Sequence, residues 1–297
     1  MVNLNGWLLV NKPEGLSSAA ALNHIKKYIK PSKIGHSGTL DPFATGILLV
    51  GVGEATKLMP YLIEADKGYE FVVRWGEHRD TLDITGELVA TSARIPTQAE
   101  VESVLPRFLG QTQQEPPQFS AIKINGRRAY YFARTGKIVQ LDTRPVRIDK
   151  LELMGHGEGF SAFRVQCSKG TYVRALARDI AHALGAYCHV IELSRTRLGK
   201  FVLKDAITLA SLAEILHNDG ASGLGDLLMP VERVLDDILV HDVGEYAARL
   251  LRHGRAVIAE AIQPGDGALV AAMCDGALVA ICRFESGGLQ PIKVLNL

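Results

Sequence analysis

The sequence predicts an α+β fold, in which a mixed and mostly antiparallel sheet with helices forms a large N-terminal domain and a small β-rich domain follows it. Strand-like runs occur in hairpin-like pairs, and the predicted helices are spaced irregularly between them. A doubly wound parallel sheet would instead alternate strands and helices regularly. The length of 297 residues, of which 47% are hydrophobic, is enough for a sizeable core and for about two domains.

The elements of the large domain follow from local patterns. Strands are predicted where apolar and β-branched residues run between turn residues, at 6–10, 47–52, 69–75, 146–153, 160–167 and 186–193. Helices are predicted at 18–29, 97–108, 173–184 and 208–217. The second of these helices begins at a capping box formed by Thr97 and Glu100. This domain is predicted to span residues 1–236.

Residues 237–297 have a different pattern. A helix is predicted at 243–251, and it is followed by the short β-like runs AVIAE, GALVAAMC, GALVAICRF and PIKVLNL, which are separated by turns that contain glycine. This pattern predicts a small, separate β domain.

Several classes of protein are disfavoured. No apolar run approaches the ~20 residues needed to cross a bilayer and no secretory signal begins the chain, so we expect a cytoplasmic protein without membrane contact. The chain lacks H-E-x-x-H, G-x-G-x-x-G and P-loop patterns, so metal catalysis and a phosphate-binding P-loop are not expected. The cysteines are far apart without a C-x-x-C pair and are expected to be reduced thiols: Cys167, Cys188, Cys274 and Cys282.

Basic residues are concentrated in one segment. Residues 116–150 contain eight lysines and arginines against two acids, a net charge of +6, interleaved with four aromatic residues. Cations that neutralise phosphates beside aromatic rings that can stack are typical of a nucleic-acid surface, although a solvated helical face would have the same charge. Smaller basic clusters occur at 26–33, at Arg195, Arg197 and Lys200, and at 249–255.

The loop GHSGTLDPFATG, residues 35–46, contains a single carboxylate, Asp41. Its glycines allow a close approach by other groups, and Pro42 fixes the backbone after the aspartate, so the loop can hold one side chain still. Two interpretations follow from these residues alone. Asp41 is either a turn residue that hydrogen-bonds its own backbone or a carboxylate oriented for chemistry.

A set of motifs resembles one family, the bacterial tRNA pseudouridine-55 synthases of the TruB type. The motifs occur in the family's order over roughly the first 230 residues: NKPEGLSS, GHSGTLDPFATGILLVGVGEATK, KGY at 67–69, DTLD at 80–83, QEPPQFSAIKINGRRAYYFARTG, CSKGTYVR and HVIELSRTRLG. The resemblance implies isomerisation of uridine 55 in the T loop of tRNA to pseudouridine, without metal or organic cofactor. The final residues resemble an RNA-binding PUA domain, and a monomer that binds the tRNA T arm is expected.

The resemblance also assigns residues. It implies that Asp41 is the catalytic aspartate, that Arg174 pairs with it and that Tyr69 stacks on the extruded uracil. A flipped base needs a closed pocket, and the resemblance makes Tyr172 and Leu193 further walls of that pocket.

Two more residues and one segment carry over by position. His36 matches a histidine that contacts the RNA where bases are displaced, and Lys12 is expected to support the loop or bind a phosphate. Residues from about 106 to 142 match an insertion that closes over the RNA. The chain departs from the common family pattern in modest ways, with Ser37 for threonine, Phe119 for tyrosine and Arg79 for a small hydroxyl residue.

Two alternatives remain open. The chain could be a non-catalytic tRNA-binding or tRNA-folding protein, for which the basic surface would matter and Asp41 would be expendable. It could also be a hydrolase in which Asp41 acts with a histidine, and this would require His36 or another histidine within hydrogen-bonding distance of Asp41.

Overall fold

The computed structural model describes residues 4–124, 126–137, 139–235, 238–259 and 261–297. The first part of the chain contains β1 (Gly6–Lys12), α1 (Ser18–Ile29), β2 (Ile34–Ser37), β3 (Thr45–Val52), α2 (Met59–Ile63), β4 (Lys67–Trp75), β5 (Glu77–Arg79), β6 (Leu88–Thr91), α3 (Gln98–Val104) and β7 (Gly110–Gln114). The middle part contains β8 (Lys123–Ile124), β9 (Arg127–Arg128), α4 (Ala129–Arg134), β10 (Arg144–Gly157), β11 (Phe160–Cys167), α5 (Val173–Ala183), β12 (Cys188–Leu198), β13 (Phe201–Val202), β14 (Ile207–Thr208) and α6 (Leu209–Gly225). The last part contains β15 (Leu239–Asp242), α7 (Glu245–Arg252), β16 (Val257–Ile258), β17 (Leu269–Cys274), β18 (Ala277–Glu285) and β19 (Gly288–Val294).

In the part of the chain that the structure describes, the strands form one large sheet, one small sheet and two short hairpin pairs, β5 with β6 and β8 with β9. This combination of mixed sheet and helices confirms the predicted α+β class. Within the described residues, ten strands make up the large sheet, whose main order is β14-β1-β3-β12-β4-β11-β10-β7, with β2 beside β3 and β13 beside β12. Its strand pairs are antiparallel except for β14 with β1 and β3 with β12. The small sheet has the order β15-β17-β18-β19-β16 and gives the C-terminal part its β-rich character.

The centre of the large sheet is buried on both faces. Because side chains alternate along a strand, Leu8 and Val10 of β1 pack with α1 and α6, whereas Trp7 and Leu9 point to the opposite face. There they share one apolar cluster with residues of the small sheet, among them Met273. The indole of Trp7 also donates a 2.8 Å hydrogen bond to the carbonyl of Val231. The two sheets therefore share a hydrophobic core.

A second core lies between the other end of the large sheet and two helices. Residues of β4, β10, β11 and β12 pack there with α3 and α5. The predicted capping box of α3 is confirmed, since Thr97 and Glu100 each accept the other's backbone N–H. However, α3 ends at Val104, and a 3₁₀ turn containing Pro106 covers Leu105–Phe108. Proline cannot continue an α-helix, so the predicted helix was too long.

The structure narrows the predicted insertion of residues 106–142. Gly110–Gln114 forms β7 and pairs with the start of β10, so the chain leaves the large sheet only from 115 to 143. The sequence GQTQQ has no alternation of apolar and polar residues, and β7 was therefore missed. The predicted boundary between residues 236 and 237 lies outside the described residues. Among the helices that the structure describes, none is long and apolar enough to span a membrane.

One close approach fixes the centre of the large sheet. Gly46 in β3 lies beside Arg195 in the parallel strand β12 and has a φ of +101°. A β-carbon at Gly46 would lie 2.4 Å from the carbonyl oxygen of Arg195. Only glycine can occupy this position without moving one of the two strands.

We predict that Gly46→Ala lowers the free energy of unfolding by about 3 kcal/mol or more, because it adds a backbone clash to the cost of a positive φ. Gly110→Ala is a matched control, since Gly110 has a φ of +81° and no atom within 4 Å of its added β-carbon. This control should cost only about 1 kcal/mol. Urea denaturation of both variants measures the difference, and equal losses would contradict the packing argument.

Candidate active site

A cavity of about 1110 Å³ is lined by the loop of Asp41, by residues of the central strands β4 and β12, and by residues of the segment that leaves the large sheet. Five of the seven residues assigned from the sequence line this cavity: Asp41, Tyr69, Tyr172, Arg174 and Leu193. The basic segment also reaches it, through Arg128, Tyr130 and Arg134. His36 and Lys12 are not part of the lining. The cavity is larger than a small-molecule site requires and has room for a group of nucleotide size.

The loop that carries Asp41 is held from three directions. The hydroxyl of Ser18, at the start of α1, accepts the N–H of Leu40 at 2.9 Å and donates to its carbonyl at 3.2 Å. The ammonium of Lys12 donates to the carbonyl of Pro42 at 3.3 Å, and Nη2 of Arg195 donates to that of Gly38 at 3.1 Å. These bonds hold backbone on both sides of Asp41, so the carboxylate is mounted on a fixed loop.

Arg174 binds Asp41 through two of its nitrogens. Nη2 donates to Oδ1 at 3.1 Å, and Nε lies 2.9 Å from Oδ2, close enough for an ion pair although its N–H is not aimed at the oxygen. The same guanidinium donates from Nη1 to the carbonyl of Thr81 at 2.6 Å and from Nη2 to that of Phe119 at 3.0 Å. Because the contact with Phe119 uses its backbone, the missing tyrosine hydroxyl there leaves this bond intact.

Asp83 is a second carboxylate partner of Arg174, at 3.2 Å from Nη1. Its Oδ1 accepts three hydrogen bonds, from the hydroxyl of Thr81 and from the hydroxyl and N–H of Thr85. Oδ2 is thereby left to face the guanidinium. The sequence motif DTLD contained this residue, but nothing in it distinguished Asp83 from Asp80 as the buried partner.

The environment changes the acidity of Asp41. Burial raises the pKa of its carboxyl group above the ordinary value, and the nearby charge of Asp83 adds to the rise. The guanidinium of Arg174, and more weakly Lys12, oppose this effect by favouring the carboxylate. Burial therefore disfavours the charged form of Asp41, and the guanidinium of Arg174 is the main group that stabilises it.

Tyr69 and Arg195 form the floor beside Asp41. They are directly opposite each other on the antiparallel strands β4 and β12. Burial raises the pKa of the Tyr69 hydroxyl above its usual value, so the phenol stays neutral. Arg195 is 1% exposed and also donates from Nε to the carbonyl of Ile47 at 2.8 Å. It was predicted as part of a basic cluster, but the structure places it inside the protein.

Lys67 and Tyr172 also line the cavity. Burial lowers the pKa of Lys67 to about 8, and the nearby charge of Arg195 acts in the same direction. The backbone N–H and carbonyl of Tyr172 are both bonded by the side chain of Gln114, at 2.8 and 3.1 Å. Gln114 fixes the backbone of Tyr172, and Leu193 is buried nearby in the lining.

The two residues outside the lining have different environments. Lys12 is fully buried, its ammonium donates to the carbonyls of Pro13 and Leu16 as well as Pro42, and burial lowers its pKa to about 8. These contacts correspond to loop support rather than to a phosphate contact. His36 lies in β2, half-buried, and its Nδ1 has no hydrogen-bond partner among the residues described. Burial and the charge of Arg195 lower its pKa, which favours a neutral ring.

No histidine that the structure describes forms a hydrogen bond or ion pair with Asp41, so the geometry that a hydrolase would need is not seen in this part of the chain. Groups of three or more His, Cys, Asp or Glu side chains that could hold a metal ion are likewise not found among the described residues. The charged groups that act on Asp41 are Arg174, Asp83 and Lys12.

Two family models match most of the chain. One, described as the N-terminal domain of the TruB family of pseudouridylate synthases, matches residues 26–173. The other, described as the C-terminal domain of tRNA pseudouridylate synthase B, matches residues 174–236. The tRNA pseudouridine synthase B of Rhodopseudomonas palustris is 43% identical over 99% of this chain and 82% of its own length. That of Caulobacter vibrioides is 42% identical over 99% of this chain and 97% of its own length.

Solved structures share the fold at lower identity. A chain of an H/ACA RNP bound to a substrate RNA containing 2′-deoxyuridine superposes with a TM-score of 0.76 at 23% identity, covering 98% of this chain and 85% of that one. A chain of a Cbf5-Nop10-Gar1 complex superposes with a TM-score of 0.73 at 24% identity, covering 97% and 84%. These similarities support the fold described above.

We predict that Arg174→Lys lowers the free energy of unfolding by about 2–4 kcal/mol. A single ammonium cannot contact both carboxylates and both carbonyls, so buried acceptors lose their donors. Arg164→Lys is the control, because Arg164 pairs with Glu70 on the surface at 2.8 Å and should change stability by less than about 1 kcal/mol. Urea titration measures both, and similar effects would show that the buried arrangement of Arg174 is not what stabilises the fold.

Proposed function

Because this chain belongs to the TruB family of pseudouridylate synthases, we propose that it converts uridine 55 in the T loop of tRNA to pseudouridine, with Asp41 as the catalytic carboxylate. The observation that carries the proposal is the geometry of Asp41, which is fixed by Arg174 in a cavity of about 1110 Å³. The names of the relatives support tRNA as the substrate. The choice of uridine 55 comes from the resemblance of the motifs.

The reaction needs a closed site and an oriented carboxylate. The bond between N1 of uracil and C1′ of the ribose breaks, the base turns, and a bond from C5 to C1′ forms, while N1 gains a proton and C5 loses one. The uridine must leave its stack to reach the site, which costs a few kcal/mol. Asp41 either attacks the sugar covalently or removes a proton from the ribose, and the ionised carboxylate held by Arg174 suits both routes.

The other residues bind the base and support the loop. Tyr69 stacks on the extruded uracil, a contact of ~1–3 kcal/mol that offsets much of the cost of flipping, and Tyr172 and Leu193 enclose the ring. His36, whose ring is neutral, contacts the RNA at the gap left by the flipped bases. Lys12 acts through its bonds to the loop that carries Asp41.

The RNA surface continues beyond the cavity. The basic segment that leaves the sheet, residues 115–143, closes over the T loop, and its cations contact phosphates. Residues 1–236 form the catalytic domain, and residues 237–297 form a PUA-like domain that also contacts RNA. A monomer is sufficient, since one chain supplies all the residues named here.

We predict that Asp41→Asn abolishes conversion of the T-loop uridine while RNA binding changes by less than about threefold. The amide keeps the shape of the side chain and a partner for Arg174 but can neither attack the sugar nor accept a proton from it. Pseudouridine formation in a T-arm stem-loop transcript and binding of the same transcript are measured under one salt condition.

Two outcomes would contradict the proposal. Wild-type protein that binds the transcript without converting it would favour the alternative of a tRNA-binding or tRNA-folding protein. Conversion by Asp41→Asn at the wild-type rate would place the chemistry elsewhere in the cavity. Replacement of the target uridine by cytidine controls for modification at another position.

The acid limb of the pH profile is predicted to reflect Asp41. The carboxylate is the active form and burial raises its pKa, so kcat/KM should fall with decreasing pH at values above the ordinary 3.8. Single-turnover rates across the acid range measure the limb. Binding of RNA by Asp41→Asn over the same range separates lost chemistry from lost binding, and a rate that stays constant down to pH 3.8 would contradict this assignment.

A further inference from the structure

Arg144 lies where the segment of residues 115–143 rejoins the large sheet. It is the first residue of β10 and pairs directly with Gln114, the last residue of β7. This pair closes the sheet where residues 115–143 depart from it. Both members hold Tyr172, since Gln114 bonds its backbone and the guanidinium of Arg144 lies 4.4 Å from the centre of its ring.

The guanidinium of Arg144 lines the catalytic cavity without an acceptor. Its Nε is buried and has no hydrogen-bond partner, and no ion pair of Arg144 is found in the described part of the chain. The other arginines of the large sheet that lie nearby have partners. Arg195 donates to two carbonyls, and Arg147, three residues along β10, contacts Asp66 and Asp149.

A half-buried cation with free donors requires an anion or strong acceptors. Four carboxylates line the cavity, and within the described residues none of them pairs with Arg144. Asp41 and Asp83 are held by Arg174, and Asp80 accepts the N–H of Glu87. The RNA of the proposed reaction brings one negative charge for each nucleotide, and the phosphates beside a flipped nucleotide must pass the rim of the cavity. A planar guanidinium binds phosphate through two parallel N–H groups, and stacking on Tyr172 fixes the plane of this one.

We propose that Arg144 binds a backbone phosphate of the RNA next to the flipped nucleotide, with its plane fixed by Tyr172. The inference rests on the proposed function, since it requires a nucleotide in the cavity. It assigns the phosphate contact to a residue anchored in the sheet. Five other cations belong to the part that leaves the sheet: Lys123, Arg127, Arg128, Arg134 and Lys137. Arg144 therefore sets where the strand enters the cavity.

The test uses single-turnover kinetics of Arg144→Gln on a T-arm stem-loop RNA. Loss of a charge-assisted contact should raise the RNA concentration at half-maximal rate by roughly tenfold, with the maximal rate within about twofold of wild type. The slope of log affinity against log salt should become shallower by about 0.7–0.9. Arg164→Gln is the matched control, since Arg164 is paired with Glu70, lies outside the basic clusters and should change neither quantity.

A second measurement identifies the phosphate. RNAs are prepared with one neutral methylphosphonate at a time at the linkages around the target uridine. At one linkage, neutralisation should weaken binding to wild type but have little further effect on Arg144→Gln, so the two changes are not additive. Additive losses at every linkage would overturn the proposal, as would an Arg144→Gln variant with a reduced maximal rate and unchanged binding, which would mean that Arg144 only holds Tyr172.

Arg144→Lys keeps the test decisive if the glutamine variant does not fold. Lysine retains the positive charge but lacks the two parallel N–H groups of the guanidinium. We therefore expect weaker binding of RNA with a nearly unchanged dependence on salt. Wild-type affinity in this variant would overturn the proposal. If the wild-type protein fails to form pseudouridine, the proposed function is refuted. If the wild-type protein forms pseudouridine and Arg144→Gln changes neither binding nor rate, only the inference about Arg144 is refuted.

Discussion

The structure depends on the guanidinium of Arg174, which joins two carboxylates and two backbone carbonyls from three different parts of the chain. It links the start of α5 to the loop of Asp41, to the turn of Asp83 and to Phe119 in the segment that leaves the sheet. A buried cation of this kind is costly unless its donors are satisfied, and here several acceptors surround it. The position of each of these parts is therefore coupled to the others.

The side chains around this centre mainly bind backbone atoms. Ser18, Lys12 and Arg195 reach the carbonyls or amides of the Asp41 loop, and Gln114 does the same for Tyr172. Such contacts fix the loop of Asp41 and the backbone of Tyr172 before any ligand binds. This matters because electrostatic stabilisation is effective only when the charged group does not need to reorganise during the reaction. The rigidity of the site is thus built largely from bonds between side chains and backbone.

From the sequence, most strands and helices and the position of Asp41 could be predicted. Buried residues near Asp41, such as Asp83 and Arg195, could not. The strands and the helix α1 have clear periodicity. The glycine-rich loop alone left two interpretations of Asp41 open, and the family resemblance chose between them. The polar edge strand β7 carries no such pattern, so its residues were placed in the insertion. Arg195 was placed in a basic surface cluster because composition alone does not reveal that it lies opposite Tyr69 on neighbouring strands. Asp83 was missed because burial of one acid in DTLD depends on tertiary contacts.

The small C-terminal sheet is an architectural component of the protein and not a detachable module. Trp7 and Leu9 in the first strand of the chain are covered by its apolar residues, such as Met273. The N–H of Asn296 also donates to Glu54 at 2.6 Å, next to the ion pair of Glu54 with Lys57. Removing this sheet would expose to water the apolar residues on that face of the large sheet. This apolar face includes residues of β1, the strand that ends at Lys12. The small sheet and β1 therefore shield each other's apolar side chains from water, and this shielding protects against aggregation.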